Sequence, residues 1–281
     1  MRTTLALTIL LVVTLATTAC GGGQATATDA TTTIDAAPVA TIPAEPAVDA
    51  DANAPALRAT LTRPDEVLVA FAEPDAGTAV VAELAPTTDL GSARVLAVEE
   101  QHPGWVRVAL PVRPNGTTGW VADADVVVDE VDARVDVDLA ARTLTVRLGD
   151  EVVLSTPVAV GTAENPTPAG RFSVTDRVRP PDPNGAYGDF ALGLSAYSDT
   201  LSEFAGRDGQ VGIHGTDAPD SIGRAASHGC VRVPAEATAI LARLPLGTPV
   251  VIACAGWSGG RGHVAPPLDP PHPGVARPDR S

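Results

Sequence analysis

Val135-Asp136-Val137-Asp138-Leu139-Ala140, followed shortly by Leu144-Thr145-Val146-Arg147-Leu148, alternates apolar with polar or small side chains at a period of two. That period puts the apolar residues on one side of an extended chain and the others on the opposite side, so each run reads as a strand with one buried face. Val152 to Val160 continues as a third strand, and the three form an antiparallel meander. One helix follows late, from Ala235 to Leu244, opened by Pro234 and carrying Ile240, Leu241 and Leu244 on one face. Pro249 to Ala253 returns to strand. The fold class is mainly β, with one or two short helices.

Towards the N-terminus the strands become shorter. Val67-Leu68-Val69, Ala79-Val80-Val81, Arg94 to Val98, Trp105 to Val108 and Gly119-Trp120-Val121 are β-branched runs, separated by Pro74-Asp75, Pro103-Gly104 and Pro114-Asn115-Gly116. Short strands between such turns make a small barrel or sandwich, assigned to residues 61–131. Trp105 and Trp120 read equally as core residues or as a binding surface. The acidic string Asp123, Asp125, Asp129, Glu130 and Asp132 reads as a solvated link to the next module, residues 132–254.

The flanks differ in composition. Residues 20–60 are rich in Ala, Thr, Pro and Asp and contain no aromatic side chain, so they bury too little to offset chain entropy and read as a disordered tether. Residues 255–281, dense in Pro and Gly, read as a disordered tail. Residues 1–19, with Arg2 ahead of an apolar run from Leu5 to Ala16, read as a secretory signal too short to span a bilayer. Cys20 followed by three glycines resembles the bacterial lipoprotein signal, which implies acylation of that thiol and a membrane-held protein on the cell-wall side.

The 281 residues carry a net charge of −15, and every basic side chain is Arg, which argues against a nucleic-acid partner. Three cysteines are too few for a disulfide framework. Cys254 reads as a buried small residue, and Cys230 and Cys254 are expected to be free thiols.

The chemistry gathers in Val211-Gly212-Ile213-His214-Gly215-Thr216 and Ser227-His228-Gly229-Cys230-Val231-Arg232. A free cysteine is mostly protonated at neutral pH, and an imidazole within reach can take its proton and hold the thiolate as an ion pair. Gly215 and Gly229 let the backbone approach a substrate, and the N–H groups around Gly229 and Cys230 are candidates to receive an oxyanion.

These two motifs, in this order and spacing, resemble the signature of the L,D-transpeptidase (YkuD-type) catalytic domain. Thr167-Pro168-Ala169-Gly170-Arg171-Phe172 matches a second pattern of that family, and the Trp105 and Trp120 strings resemble a bacterial SH3-like domain. The resemblance implies a β-sandwich catalytic domain preceded by an SH3-like barrel. It also implies Cys230 as nucleophile and His214 as base, the latter oriented by a neighbouring carbonyl, most simply that of Gly215. His228 and Ser227 then shape the surroundings, and Arg232 meets a substrate carboxylate or forms a structural salt bridge. The implied substrates are peptidoglycan stem peptides, joined by 3→3 crosslinks through a Cys230 thioester, with no cofactor and no metal, by a monomer.

Three other readings compete. Water in place of the second stem would make an L,D-carboxypeptidase. A catalytically silent wall-binding lipoprotein is opposed by the retention of both His214 and Cys230. A zinc site on His214, His228 and Cys230 lacks the usual ligand spacing.

Overall fold

A computed structural model of the chain describes residues 55–203 and 206–253. The expected signal peptide, Cys20, Cys254, the expected tail and most of the expected tether lie outside the described residues.

Seven strands come first: β1 (Ala56–Leu61), β2 (Leu68–Phe71), β3 (Val80–Leu84), β4 (Val95–His102), β5 (Trp105–Ala109), β6 (Thr118–Ala122) and β7 (Val126–Val131). They form one antiparallel sheet in the order β3-β2-β6-β5-β4-β1-β7, closed over Ala59, Leu68, Leu96, Val108 and Val121. Two expectations need correction. The tether was drawn to residue 60, yet Ala56–Leu61 is a strand between β4 and β7, with Ala59 fully buried. The acidic string is not a free link either. Its Asp129 lies on β7, where its carboxylate accepts hydrogen bonds from Arg58 Nε and Nη2.

The second set is β8 (Ala133–Asp138), β9 (Thr143–Leu148), β10 (Glu151–Pro157), β11 (Val160–Gly161), β12 (Gly170–Val178), β13 (Ala191–Tyr197), β14 (Gln210–His214), β15 (Ala225–Ser227), β16 (Val231–Arg232), α1 (Ala235–Leu241) and β17 (Pro249–Ala253). Eight of these strands make a sheet in the order β10-β9-β8-β17-β12-β13-β14-β16, and β11 pairs with β15. The expected meander is β8–β10, although its third strand stops at Pro157, and the helix is one turn shorter than its apolar face suggested.

α1 contacts both β10 and β13. Those strands stand five places apart in the sheet, about 24 Å if it were flat, so the sheet must curl around the helix. Val135, Leu144, Val174, Leu194, Ile213, Leu241 and Ile252 fill the enclosed core.

The two sheets are docked. Asn115 donates from Nδ2 to the Tyr197 carbonyl (2.7 Å) and accepts the Tyr197 N–H at Oδ1 (2.9 Å). The Tyr197 hydroxyl donates to the Pro111 carbonyl at 2.9 Å, and Arg58 Nη1 donates to the Leu246 carbonyl at 2.8 Å. Gly247 makes the second contact possible. Its φ is +83°, and a Cβ there would stand 2.8 Å from the Arg58 Cβ.

Candidate active site

β14 and β16 run parallel, with Ile213 beside Val231 and His214 beside Arg232. Alternation puts Gly212 and His214 on one face of β14, and Cys230 and Arg232 on the matching face of the neighbouring chain. The Gly212 N–H donates to Cys230 Sγ at 3.4 Å, which holds the thiol across the strand gap, one pleat from the imidazole. Such diagonal neighbours have Cβ atoms about 7 Å apart, within the combined reach of a thiol and an imidazole. The two motifs found in the sequence thus converge because a parallel strand pair brings them together.

His214 is 5% exposed, and its Nδ1 lies 2.5 Å from the Gly215 carbonyl. A carbonyl only accepts, so Nδ1 carries the hydrogen and Nε2 keeps a lone pair. Burial pushes the His214 pKa down to about 4, helped by the charge of Arg232 and opposed by the Gly215 carbonyl and by Asp217. Burial also pushes the Cys230 thiol up, against the Gly212 N–H and the charge of Arg232. Both shifts favour a thiol and a neutral imidazole over the thiolate–imidazolium pair expected from the sequence, because desolvation disfavours both charges. An imidazole in that state can accept a proton as the sulfur attacks.

The turn before Cys230 is fastened by Ser227, which is 1% exposed. Its hydroxyl donates to the Cys230 carbonyl at 2.5 Å and accepts the Gly229 N–H at 3.1 Å. The Gly229 N–H, one of the two candidate oxyanion donors, is engaged by the Ser227 hydroxyl. Gly229 adopts φ +118°, and a Cβ there would meet the Pro166 carbonyl at 3.5 Å. The Thr167–Phe172 motif supports this loop: Thr167 Oγ1 accepts the Gly161 N–H at 2.8 Å, while Phe172 is buried in the core. His228 is exposed.

Of the two alternatives for Arg232, the structural salt bridge is not formed: among the described residues it makes no ion pair, and its buried Nε has no hydrogen-bond partner. The same residues include no group of three or more His, Cys, Asp or Glu side chains arranged for a metal.

The Tyr187 ring lies against His214, centroids 4.8 Å apart and planes tilted by 60°. Its phenol is raised by burial and by the neighbouring Cys230, and lowered by Arg207 and Arg232. Gly215 admits the close approach of this segment. A Cβ on Gly188, whose φ is +65°, would stand 2.7 Å from the Gly215 Cα.

Residues 132–252 match the L,D-transpeptidase catalytic domain family (YkuD). A Bacillus subtilis protein named as an L,D-transpeptidase, YkuD, is 33% identical over 150 residues, which cover 51% of this chain and 83% of that one. Its Bacillus licheniformis namesake is 37% identical over 125 residues, covering 44% of this chain and 67% of that protein. The chain belongs to the YkuD-type L,D-transpeptidase family. Among solved structures, the L,D-transpeptidase from Mycobacterium smegmatis aligns over 66% of this chain and 99% of its own, at 20% identity and a TM-score of 0.36.

Within this L,D-transpeptidase domain, Tyr187 and Gly188 were not singled out from sequence. They directly follow a stretch rich in Pro, Asp and Gly, Pro180-Pro181-Asp182-Pro183-Asn184-Gly185, whose composition signals only a loop. The pairing of a positive-φ glycine with Gly215 is visible only in three dimensions.

Proposed function

We propose that the protein is a peptidoglycan L,D-transpeptidase that forms 3→3 crosslinks through a thioester on Cys230. The observation that carries the reading is the shared face of β14 and β16, where Cys230 Sγ rests on the Gly212 N–H one pleat from His214. His214 Nε2 takes the thiol proton as Cys230 attacks the carbonyl between the third stem residue and the terminal D-Ala. The Cys230 N–H faces the developing oxyanion. The tetrahedral intermediate collapses, the C–N bond breaks, and His214 returns the proton to the departing D-Ala amine. The side-chain amine of a second stem then attacks the thioester: a C–N bond forms, the C–S bond breaks, and the amine proton restores the thiol through His214. No ATP is needed, because the thioester conserves the acyl activation of the broken bond. Arg232, whose buried Nε lacks a partner, supplies a cation for a carboxylate of the first stem.

We further propose that the seven-stranded sheet is an SH3-like module, that residues 1–19 direct export, and that acylated Cys20 holds the protein on the wall side of the membrane as a monomer. The sequence features quoted above support this part of the reading.

Intact-mass measurement after incubation with a defined disaccharide-tetrapeptide tests the core of it. The expected result is an adduct equal to the stem minus D-Ala on Cys230, followed by a crosslinked dimer, with neither formed by Cys230→Ala. An adduct of the same mass on Cys230→Ala would overturn it.

A further inference from the structure

Arg113 stands in the connection between β5 and β6, yet its guanidinium reaches into the other sheet. Nη1 donates to the Ser198 carbonyl at 2.5 Å, and Nη2 donates to the carbonyls of Leu201 (3.0 Å) and Asp208 (2.8 Å). The group also lies over the Tyr197 ring, 5.1 Å from its centroid. These carbonyls belong to both ends of the connection between β13 and β14, so one rigid fork holds the way out of one strand and the way into the next. Gly209 makes room for it. Its φ is +75°, and a Cβ there would stand 2.9 Å from Arg113 Nη2 and collide with the Leu201 carbonyl. Among the described residues Arg113 makes no ion pair, so its charge is spent on backbone.

The connection that Arg113 holds touches both halves of the active site. Two residues beyond Asp208 the chain enters β14, whose Gly212 N–H meets the Cys230 thiol and whose last residue is His214. The Ser198 N–H donates to the Gly209 carbonyl at 2.9 Å and ties the two ends of the connection together. On the other side, Thr200 Oγ1 donates to Asn165 Oδ1 at 3.1 Å. Asn165 and Pro166 lie flush on Gly161, where a Cβ would stand 2.7 Å from the Pro166 carbonyl carbon. The Pro166 carbonyl oxygen in turn faces Gly229, the residue before the nucleophile, at 3.5 Å from its Cβ position. The Thr162 N–H donates to the Ser227 carbonyl at 3.1 Å and fastens the same turn from this side.

Arg58 provides the comparison. It also joins the two sheets, but it grips the Leu246 carbonyl, on the chain that enters β17, three places from β14 in the sheet order. Its hydrogen bonds hold the sheets together without touching the segments beside Cys230 and His214. Those of Arg113 end on the segments that carry the reacting groups or abut them. Three charge-assisted bonds to fixed carbonyls define a position more closely than one, and a displacement of about 1 Å at a distance from the chemistry slows a reaction by up to about a hundredfold.

We infer that Arg113 is a positioning residue for the Cys230–His214 pair: from the N-terminal sheet it fixes where β14 stands and, through Thr200 and Asn165, where the turn carrying the nucleophile stands. The inference rests on the transpeptidase reading of that pair. The N-terminal sheet then takes part in the reaction without touching substrate, because it supplies the group that keeps the thiol and the imidazole in register. The physical warrant for such a role is an energetic coupling between Arg113 and the nucleophile, which a measurement of variants supplies.

The test uses the full chain and compares Arg113→Gln, Arg113→Lys, Thr200→Val and the double variant Arg113→Gln/Thr200→Val with the parent, with Arg58→Gln to loosen the docking elsewhere. Stopped-flow acylation by a carbapenem gives a rate at saturation and a half-saturating concentration. In Arg113→Gln the saturating rate is expected to fall about tenfold, while the half-saturating concentration stays within about twofold. Arg113→Lys keeps the charge without the fork and should recover part of the rate. The loss in the double variant should be smaller than the product of the two single losses, because the residues share a route. Arg58→Gln should acylate within about twofold of the parent on the same grounds. A parental rate in Arg113→Gln overturns the inference. So does an equal loss in Arg58→Gln, which would make docking alone the cause, and so do fully multiplicative losses in the double variant. If Arg113→Gln does not fold, Arg113→Lys decides by its rate relative to the parent and to Arg58→Gln. If the parent forms no thioester, the functional reading fails separately, and NMR titration of the His214 imidazole decides the positioning role. A pKa raised in Arg113→Gln but not in Arg58→Gln upholds it, and a parental titration in both overturns it.

Discussion

The Tyr187 ring rests 4.8 Å from the His214 imidazole, and the chain reaches that position only because Gly188 and Gly215 pack backbone against backbone. The aromatic face excludes water from the imidazole, so it shares in the desolvation that holds His214 near pKa 4. Tyr187→Ala should therefore raise the His214 pKa towards its ordinary value, whereas Tyr187→Phe keeps it low. Titration of the imidazole Cε1 proton by NMR measures this directly. An unchanged titration in Tyr187→Ala would assign the shift to other neighbours.

Gly188→Ala places a methyl 2.7 Å from the Gly215 Cα on a backbone at φ +65°. Strain of that kind costs about 1–3 kcal/mol. The added displacement of Tyr187 should slow acylation of Cys230 by a carbapenem at least about tenfold. Equilibrium unfolding and stopped-flow acylation separate the two effects. A variant with parental stability and rate would show that the close approach is dispensable.

The buried imidazole makes stability depend on pH in a calculable direction. His214 has a lower pKa folded, about 4, than unfolded, 6.5, so between those values the unfolded chain binds more protons. Its contribution is fully present above pH 6.5 and is lost as pH falls to 4, about 3 kcal/mol in all. Urea unfolding at pH 7 and pH 4.5 should show a steeper loss in the parent than in His214→Gln. Equal losses would place the acid sensitivity elsewhere.

The raised thiol pKa predicts sluggish alkylation. At pH 7.5 iodoacetamide should modify Cys230 more slowly than free cysteine, and the rate should still be climbing at pH values where free cysteine has levelled off. A plateau below pH 7 would indicate a resting thiolate and contradict the neutral pair.

Ser227→Ala removes the group that joins the Gly229 N–H to the Cys230 carbonyl. Leaving two buried polar groups unpaired costs about 1–3 kcal/mol. Because the turn carries the nucleophile, the rate of acylation should fall as well. Thermal unfolding and adduct formation in the same preparation check both.

Legibility varied with the number of buried faces. β8 and β9 alternate buried and half-buried residues because one face meets solvent, and they stood out in the sequence. β12 and β13 carry five consecutive buried residues each, at Phe172–Asp176 and Leu192–Ala196, so the period of two disappears where the sheet is covered on both sides. β1 was missed because its Ala and Thr residues match the composition of the tether before it and it holds no aromatic or β-branched apolar run. His214 and Cys230 were recognisable from local spacing. Tyr187 and Arg113 were not, since their roles depend on partners far away in the chain: Arg113 meets Asp208 across 95 positions.

Arg58, clamped between Asp129 and the Leu246 carbonyl and packed on Gly247, has a consequence for anyone recombining such proteins. The N-terminal sheet cannot be exchanged like a bead on a string. A graft that replaces it must also reproduce the arginine and the asparagine that grip its neighbour, or the hybrid will expose a raw seam and melt in two steps rather than one.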